Sequence, residues 1–192
     1  MKFRMVLSSV IVTLVTASLC SAEDTPDLKR EKIRKMANET LNDLYKEQPA
    51  SKAAIQASVG YAVFDNLGTK ILLVSTARGS GIAVNSKTKK ETFMKMISAG
   101  GGLGIGVKDY RVIFAFENDQ AMAHFMDSGW SGSAEADAAA KTSKSGGAYR
   151  GASRVDEGVW AYEITKKGLA LDATLQGTKY YKDDDLNNPS KK

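Results

Sequence analysis

The chain has 192 residues, of which 43% are hydrophobic and 26% are charged, as in one ordinary globular domain. This length is enough to bury a core without disulfide or metal staples. A single cysteine excludes an intramolecular disulfide and a cysteine-based zinc cage, and a single histidine argues against a histidine-rich metal site. We therefore expect neither a metal nor a cofactor.

Residues 1–22 have the pattern of a secretory signal peptide. Two basic residues precede a mostly apolar stretch from Met5 to Leu19, and small residues follow it. This stretch is shorter than the roughly 20 residues that a transmembrane helix needs. We expect cleavage near Ala22 and a periplasmic or secreted mature chain. The alternative is a lipoprotein anchored through Cys20, which the bulky Leu19 just before the cysteine disfavours.

Residues 23–58 are predicted to be helical. A first helix over residues 25–48 has Thr25 as its cap and Pro26 in its first turn. Its apolar residues recur at three- and four-residue spacing and form one stripe: Ile33, Met36, Ala37, Leu41 and Leu44. A shorter helix over residues 50–58 follows Pro49.

Residues 59–178 are predicted to form a Gly-rich, β-rich core. The pattern favours strands at 59–64, 70–75, 79–85, 90–98, 102–107 and 110–116. Turns are expected at residues 66–69 and 108–109, and an exposed loop at residues 86–90.

A helix from Asp119 to Ser128 is predicted next, with Asn118 as its cap and Gly129 as its end. The alanine-rich segment 130–145 is compatible with a helix or a strand, and its alternation favours the strand. Two late strands follow, at 158–165 and 168–178. Residues 179–192, with the aspartates at 183–185, are predicted to form a solvated polar tail.

Four glycines recur with period two in the run AGGGLGIGV that begins at Ala99. In a strand they form a strip without side chains on one face, and that strip can serve close packing or contact with a ligand. The strip consists of Gly100, Gly102, Gly104 and Gly106.

Motifs of catalysis are missing. The chain has no G-x-S-x-G elbow, and the glycine run lacks the Gly-Lys-Ser/Thr ending of a phosphate loop. His124 lies between apolar residues and is interpreted as structural. Glu135 and Asp137 are interpreted as solvent-exposed rather than as an acid–base pair. We expect a protein that is not an enzyme.

Charge is segregated along the chain. Residues 66–116 are rich in basic residues, and the charged residues of segment 117–140 are all acidic. Another basic cluster runs from Lys29 to Lys35. Basic segments can form a patch for anionic headgroups, or strand alternation can distribute them over a solvated surface. No nucleic-acid motif accompanies them, so nucleic acid is not an expected partner. The predicted lipid contacts are Arg78, Lys87, Lys89, Lys90, Lys108 and Arg111.

An ordered set of motifs spans about residues 28–178. It comprises VGYAVF from Val59, GSGIAV from Gly79, AGGGLGIGVKDYRVIFAFE from Ala99, the short helix after it, and GLALDA from Gly168. This set resembles the SYLF domain, a lipid-binding and actin-binding family also found in exported bacterial proteins. The chain departs from the family pattern at Asp65, at Gly146-Gly147 and at Ala173, where the family has Pro, Gly-Pro and Gly.

The resemblance implies an α+β domain in which N-terminal helices pack on a Gly-rich, mostly antiparallel, partly barrel-like sheet. It also implies phospholipid or phosphoinositide binding rather than catalysis. We therefore predict an exported protein of the bacterial envelope that binds anionic phospholipid through basic surface segments. The alternatives are a periplasmic structural or protein-interaction module without a lipid ligand, and an enzyme acting on lipids, which the missing motifs disfavour.

Overall fold

The computed structural model describes residues 24–132, 149–165, 168–170 and 177–188, with the backbone alone described at residues 70–74, 101–108 and 168–170. The predictions for the signal peptide at residues 1–22, including Cys20, lie outside these described residues. So do most of the predicted strand at 130–145 and residues 171–176 of the last predicted strand.

Two helices open the described part of the chain, and both agree with their prediction. Helix α1 spans Pro26–Glu47 and helix α2 spans Ala50–Ala57. The hydroxyl of Thr25 accepts a hydrogen bond from the Leu28 amide at 3.3 Å, which caps the first turn of α1. The buried stripe of α1 consists of Ile33, Ala37, Thr40, Leu41 and Leu44.

Two long strands, β1 (Gly60–Asn85) and β2 (Glu91–Phe116), dominate the sheet. They pair antiparallel over their whole length, with one register shift between Leu72 and Val74. The six separate strands predicted for this region are therefore two continuous ones. The predicted turns at 66–69 and 108–109 are wrong, because these segments pair with each other in the ladder, which outweighs their local turn preference. The connection at residues 86–90 is confirmed.

Strand β1 doubles back on itself. A Cβ atom on Gly79 would lie 2.7 Å from the carbonyl oxygen of Asp65, and the hydroxyls of Thr69 and Thr76 are 3.3 Å apart. Two stretches of the same strand thus lie side by side, and glycine allows them to approach this closely. The sheet curls into a half-barrel as a result.

Shorter strands extend the sheet on the β2 side. They span Ser153–Asp156 (β3), Val159–Thr165 (β4), Gly168–Ala170 (β5) and Thr178–Lys182 (β6). Strand β4 pairs with the end of β2, and both β3 and β5 pair with β4. Strand β6 pairs with residues 94–98 of β2. Every one of these pairings is antiparallel, so the predicted α+β class with a mostly antiparallel sheet is confirmed.

Helix α3 (Asp119–His124) continues into a π-helical turn at Phe125–Gly129. As predicted, the side chain of Asn118 caps it by accepting from the Ala121 amide, and Gly129 ends it at a φ of +69°. The turn places Phe125 against an aromatic cluster on one face of the sheet. The cluster contains Phe64, Phe114, Phe116, Trp130 and Tyr180.

Helix α1 covers the opposite face of the sheet. Its apolar stripe packs with Ile82 of β1 and with Phe93 and Ile113 of β2. The sheet therefore has a core on each side, which explains why residues 62–64 of β1 and 112–116 of β2 are apolar on both faces.

The predicted polar tail is wrong for residues 179–188. These residues complete β6 and form a one-turn helix, α4 (Asp184–Asn187). Asp183 is only 5% exposed, because its carboxylate caps α4 by accepting from the amides of Asp185 and Leu186. The aspartate run is therefore a helix start rather than a solvated end.

Candidate functional site

The predicted lysine-rich loop lies at the closed end of the β1–β2 hairpin. The side chain of Asn85 accepts hydrogen bonds from the amides of Lys87 and Thr88, at 3.0 and 2.8 Å, and so orders the turn. Lys87, Lys89 and Lys90 are exposed, as predicted for a hairpin loop. The ammonium of Lys87 lies 3.9 Å from Asp119, so two of the three charges have no acidic partner among the described residues.

The other predicted contacts do not join this loop. Arg111 lies between α1 and β1, where it is 3.8 Å from Asp43 and 3.6 Å from Asp65, so its charge is compensated. The side chain of Lys108 belongs to the part that the structure does not describe. Arg78 lines a separate groove. The six residues therefore do not form one continuous patch.

The glycine strip lies in the middle of β2. Its backbone pairs with β1, with Gly106 opposite Lys70, Gly104 opposite Leu72 and Gly100 opposite Ser75. Among the described side chains, a Cβ atom on Gly100 would meet the Ser75 hydroxyl alone, at 3.2 Å. Both roles predicted for the strip, packing and ligand contact, remain predictions.

A groove of about 600 Å³ runs between the N-terminal half of α1 and the sheet. Strands β1, β2 and β6 form its floor, and Asp183 and Leu186 form its C-terminal wall. Its apolar surface comes from Ile33, Met96, Ile97, Tyr181 and Leu186, and its basic residues are Lys29, Lys32, Arg78 and Lys95. We call this the basic groove.

The charges of the basic groove differ in how they are compensated. Lys95 lies 2.9 Å from Asp183 and 3.4 Å from Asp185, and the hydrogen bond to Asp183 raises the pKa of Lys95. Lys32 lies 2.6 Å from Asp24. Arg78 is exposed and makes no hydrogen bond or ion pair with any described residue. The groove therefore offers one unpaired guanidinium beside partly compensated ammonium groups.

Hydrogen bonds hold the C-terminal wall of the groove in place. The side-chain amide of Asn187 bonds the backbone of Phe93 twice, accepting at 2.9 Å and donating at 2.7 Å. The guanidinium of Arg30 donates to the carbonyl of Leu186 at 2.9 Å. This wall connects the chain's last described residues to both α1 and β2.

The charge pattern of α1 opposes its own dipole. Residues 26–35 contain five bases and two acids, although the N-terminus of a helix carries partial positive charge and favours acids. Salt bridges offset part of this, since Arg30 pairs with Asp27 and Arg34 with Glu91. The hydrogen bond to Glu91 raises the pKa of Arg34. Helix dipole and side chains together make this end of the molecule attractive to anions.

The basic cluster of α1 and Arg78 are both recognisable in the sequence, but no local pattern connects them. Their connection depends on the C-terminal residues, for which the sequence predicts a solvated tail. A signal is present in the sequence, because Thr178–Lys182 (TKYYK) is rich in Thr and Tyr, which favour strands, and Asp183 after it is a residue type that caps helices.

The described residues contain no group of three His, Cys, Asp or Glu side chains that could hold a metal ion. His124 is exposed at the end of α3. Within the same ranges, we find no helix with the length and apolar character required to span a bilayer.

Comparison with known proteins identifies the domain. Residues 97–189 match the family model described as "Ysc84: Las17-binding protein actin regulator". The chain is also 38% identical over 161 residues to "Beta cell expansion factor A" of Aeromonas veronii. That alignment covers 83% of this chain and 59% of the relative, so the chain spans less than two thirds of that protein. Together with the α+β half-barrel, these matches show that residues 97–189 belong to the SYLF (Ysc84) domain family, which is known for binding lipid or actin.

Proposed function

We propose that this chain is a non-enzymatic protein that binds anionic phospholipid membranes of the bacterial envelope. The observation that carries the proposal is the concentration of basic side chains on the α1 side of the sheet, where five bases face two acids in residues 26–35 and Arg78 of the basic groove has no partner among the described residues. Export is supported by the pattern of residues 1–22, and lipid binding by the family. The aspartates that compensate Arg111 remove that arginine from the proposed contact.

Two regions supply the contact. The basic groove contributes Arg78 together with Lys29 and Lys32 of α1. The loop at residues 86–90 contributes its three exposed lysines. Each base near an anionic surface is worth about 1 kcal/mol, so the two regions together bring enough charge for measurable binding.

Exposed apolar side chains give the surface a second means of attachment. Ile97, at the floor of the groove, is 45% exposed, and Leu28, in the first turn of α1, is 40% exposed. Large apolar side chains beside bases are typical of surfaces that insert slightly below anionic headgroups. Binding should therefore weaken with salt without disappearing.

Co-sedimentation with vesicles tests this proposal. Phosphatidylglycerol vesicles should bind the chain, and phosphatidylcholine vesicles should not. Replacing Lys87, Lys89 and Lys90 by Gln should weaken binding up to about 100-fold, since three charges are worth about 3 kcal/mol and 1.4 kcal/mol is tenfold. The loss of affinity should be smaller than this limit, because the charge of Lys87 is partly compensated by Asp119.

A charge-matched control is available elsewhere on the surface. Lys46, Lys52 and Arg154 are exposed and lie outside both the groove and the loop. Their joint replacement by Gln removes the same net charge and should change binding much less. If both triple variants lose the same affinity, the protein binds through its overall charge rather than through this surface. If neither kind of vesicle binds, membrane binding is refuted.

The alternative is a protein-binding module without a lipid ligand. The description of the matching family model, which names Las17 binding and actin regulation, favours it. Absence of vesicle binding, together with a salt-sensitive protein partner, would support this alternative.

A further inference from the structure

We propose that the basic groove is a discrete site for a single anionic phospholipid molecule, with its phosphate on Arg78 and the start of its acyl chains along Ile97. This inference rests on the proposed function and deepens it, because it adds to the general attraction between protein and membrane a specific site that binds one lipid molecule. It requires a free anion-binding group, an apolar floor and walls that are already in place.

Arg78 is the free anion-binding group. The neighbouring Lys95 already faces two carboxylates and Lys32 faces one, whereas Arg78 has no partner among the described residues. A guanidinium presents a planar fork of donors that matches two phosphate oxygens. Lys29 and Lys32 line the same groove and add positive charge around that position.

The apolar floor suits the part of a lipid next to its headgroup. Ile97 is the residue opposite Arg78 in the β1–β2 ladder, so the base and the apolar side chain are direct neighbours. Met96, Ile33 and Leu186 continue the apolar lining. A volume of about 600 Å³ is typical of a site for one small ligand, and a free inorganic anion would leave most of it unused.

The walls of the groove are formed before any ligand arrives. Asp183 is buried and holds Lys95 at 2.9 Å, while Asn187 and Arg30 connect the C-terminal wall to β2 and α1. A prearranged site loses less entropy on binding, which favours saturable binding of a single molecule over loose surface attraction. Arg78 and Ile97 are both exposed, so their replacement should not disturb these walls.

Calorimetric titration of the full chain with a monomeric lipid tests the site. The probe is dihexanoyl phosphatidylglycerol below its aggregation concentration, and we expect saturable binding with one lipid per chain. Arg78→Gln should weaken it about tenfold or more, the loss expected for one charge-assisted contact, and Arg78→Lys should weaken it less. Ile97→Ser should also weaken it, whereas the charge-matched control Lys52→Gln should change it less than about twofold.

Two further ligands separate the possible sources of the anion. Dihexanoyl phosphatidylcholine has the same chains without net charge and should bind more weakly. Inorganic phosphate should bind more weakly still, and its affinity should not change in the Ile97→Ser variant. Inorganic phosphate that binds as tightly as the lipid would overturn the proposal in favour of a free-anion site. Equal affinity of wild type and Arg78→Gln would also overturn it.

The outcome separates this inference from the proposed function. If phosphatidylglycerol vesicles bind but the monomeric lipid does not saturate a site, the discrete site is refuted and membrane binding stands. If the monomeric lipid binds one to one and vesicles do not, the site stands and membrane attachment is refuted. If neither the vesicles nor the monomeric lipid binds, the membrane-binding function and the discrete site are both refuted.

Discussion

The replacement of Gly81 by Ala tests the doubling back of β1. A Cβ atom there would lie under 3.0 Å from the carbonyl oxygen of Val63 and from the ring of Phe64. The obstructing oxygen belongs to the backbone of the same strand, so it cannot rotate away. Relief requires the two stretches of β1 to separate, and overpacking of this kind costs about 1–3 kcal/mol.

Gly100→Ala is the matched control for that substitution. Of the atoms that the structure describes, its Cβ would meet the Ser75 hydroxyl oxygen alone, at 3.2 Å, and a serine side chain can change its rotamer. Loss of backbone freedom in the unfolded chain should then make this variant neutral or up to about 1 kcal/mol more stable.

Thermal unfolding monitored by circular dichroism measures both variants. For a chain of this size 1 kcal/mol corresponds to about 2–4 °C, so Gly81→Ala should lower the midpoint by about 2–12 °C. Gly100→Ala should leave it unchanged or raise it slightly. Equal midpoints for the two variants would show that β1 does not approach itself as described. A large loss for Gly100→Ala would favour the packing role of the glycine strip.

Three other changes give measurable outcomes. Tyr162→Phe should be neutral or stabilising near pH 7, because the buried hydroxyl has no hydrogen-bond partner within the described part of the chain. Burial raises the pKa of Tyr162 to about 12, so the contribution of this group to stability should be complete below pH 10 and should be lost between pH 10 and 12. Melts at several pH values should show that the variant loses less stability over that window than the wild type does. Lys89→Gly should raise the urea unfolding midpoint by an amount equivalent to about 1 kcal/mol, because Lys89 has a φ of 58°, which glycine adopts without strain. A lower midpoint would contradict this prediction. Asp183→Asn should lower the midpoint, since it weakens the pair with Lys95, and unchanged stability would show that the C-terminal wall does not depend on that pair.

Local signals in the sequence were sufficient for the helices. The cap at Thr25 and the stripe through Ile33 and Leu44 depend only on neighbours within a few turns, and α1 has the predicted bounds to within one residue. The same holds for α3, with its cap at Asn118 and its end at Gly129.

Non-local pairing decided what the sequence did not predict. The segment from Asn66 to Thr69 has a turn-like composition, yet it pairs with residues 107–110, far along the chain. The basic groove combines residues of α1, β1, β2 and the C-terminal wall, and no spacing rule connects such distant segments. Arg78 and the basic cluster of α1 are each visible in the sequence, but only the tertiary structure brings them together.

The folded-back hairpin has a consequence for the order in which the chain folds. Pairing can start where Val84 and Glu91 face each other across the short loop, and it can proceed towards Gly60 and Phe116 at modest additional entropy, because loop-closure cost grows slowly with length. The later strands can attach only to a β2 that already exists, and α4 can dock only after β6 has paired. With so many contacts between distant residues, we expect refolding in milliseconds to seconds rather than microseconds. The basic groove is then among the last features to form, since its final wall comes from the end of the described chain.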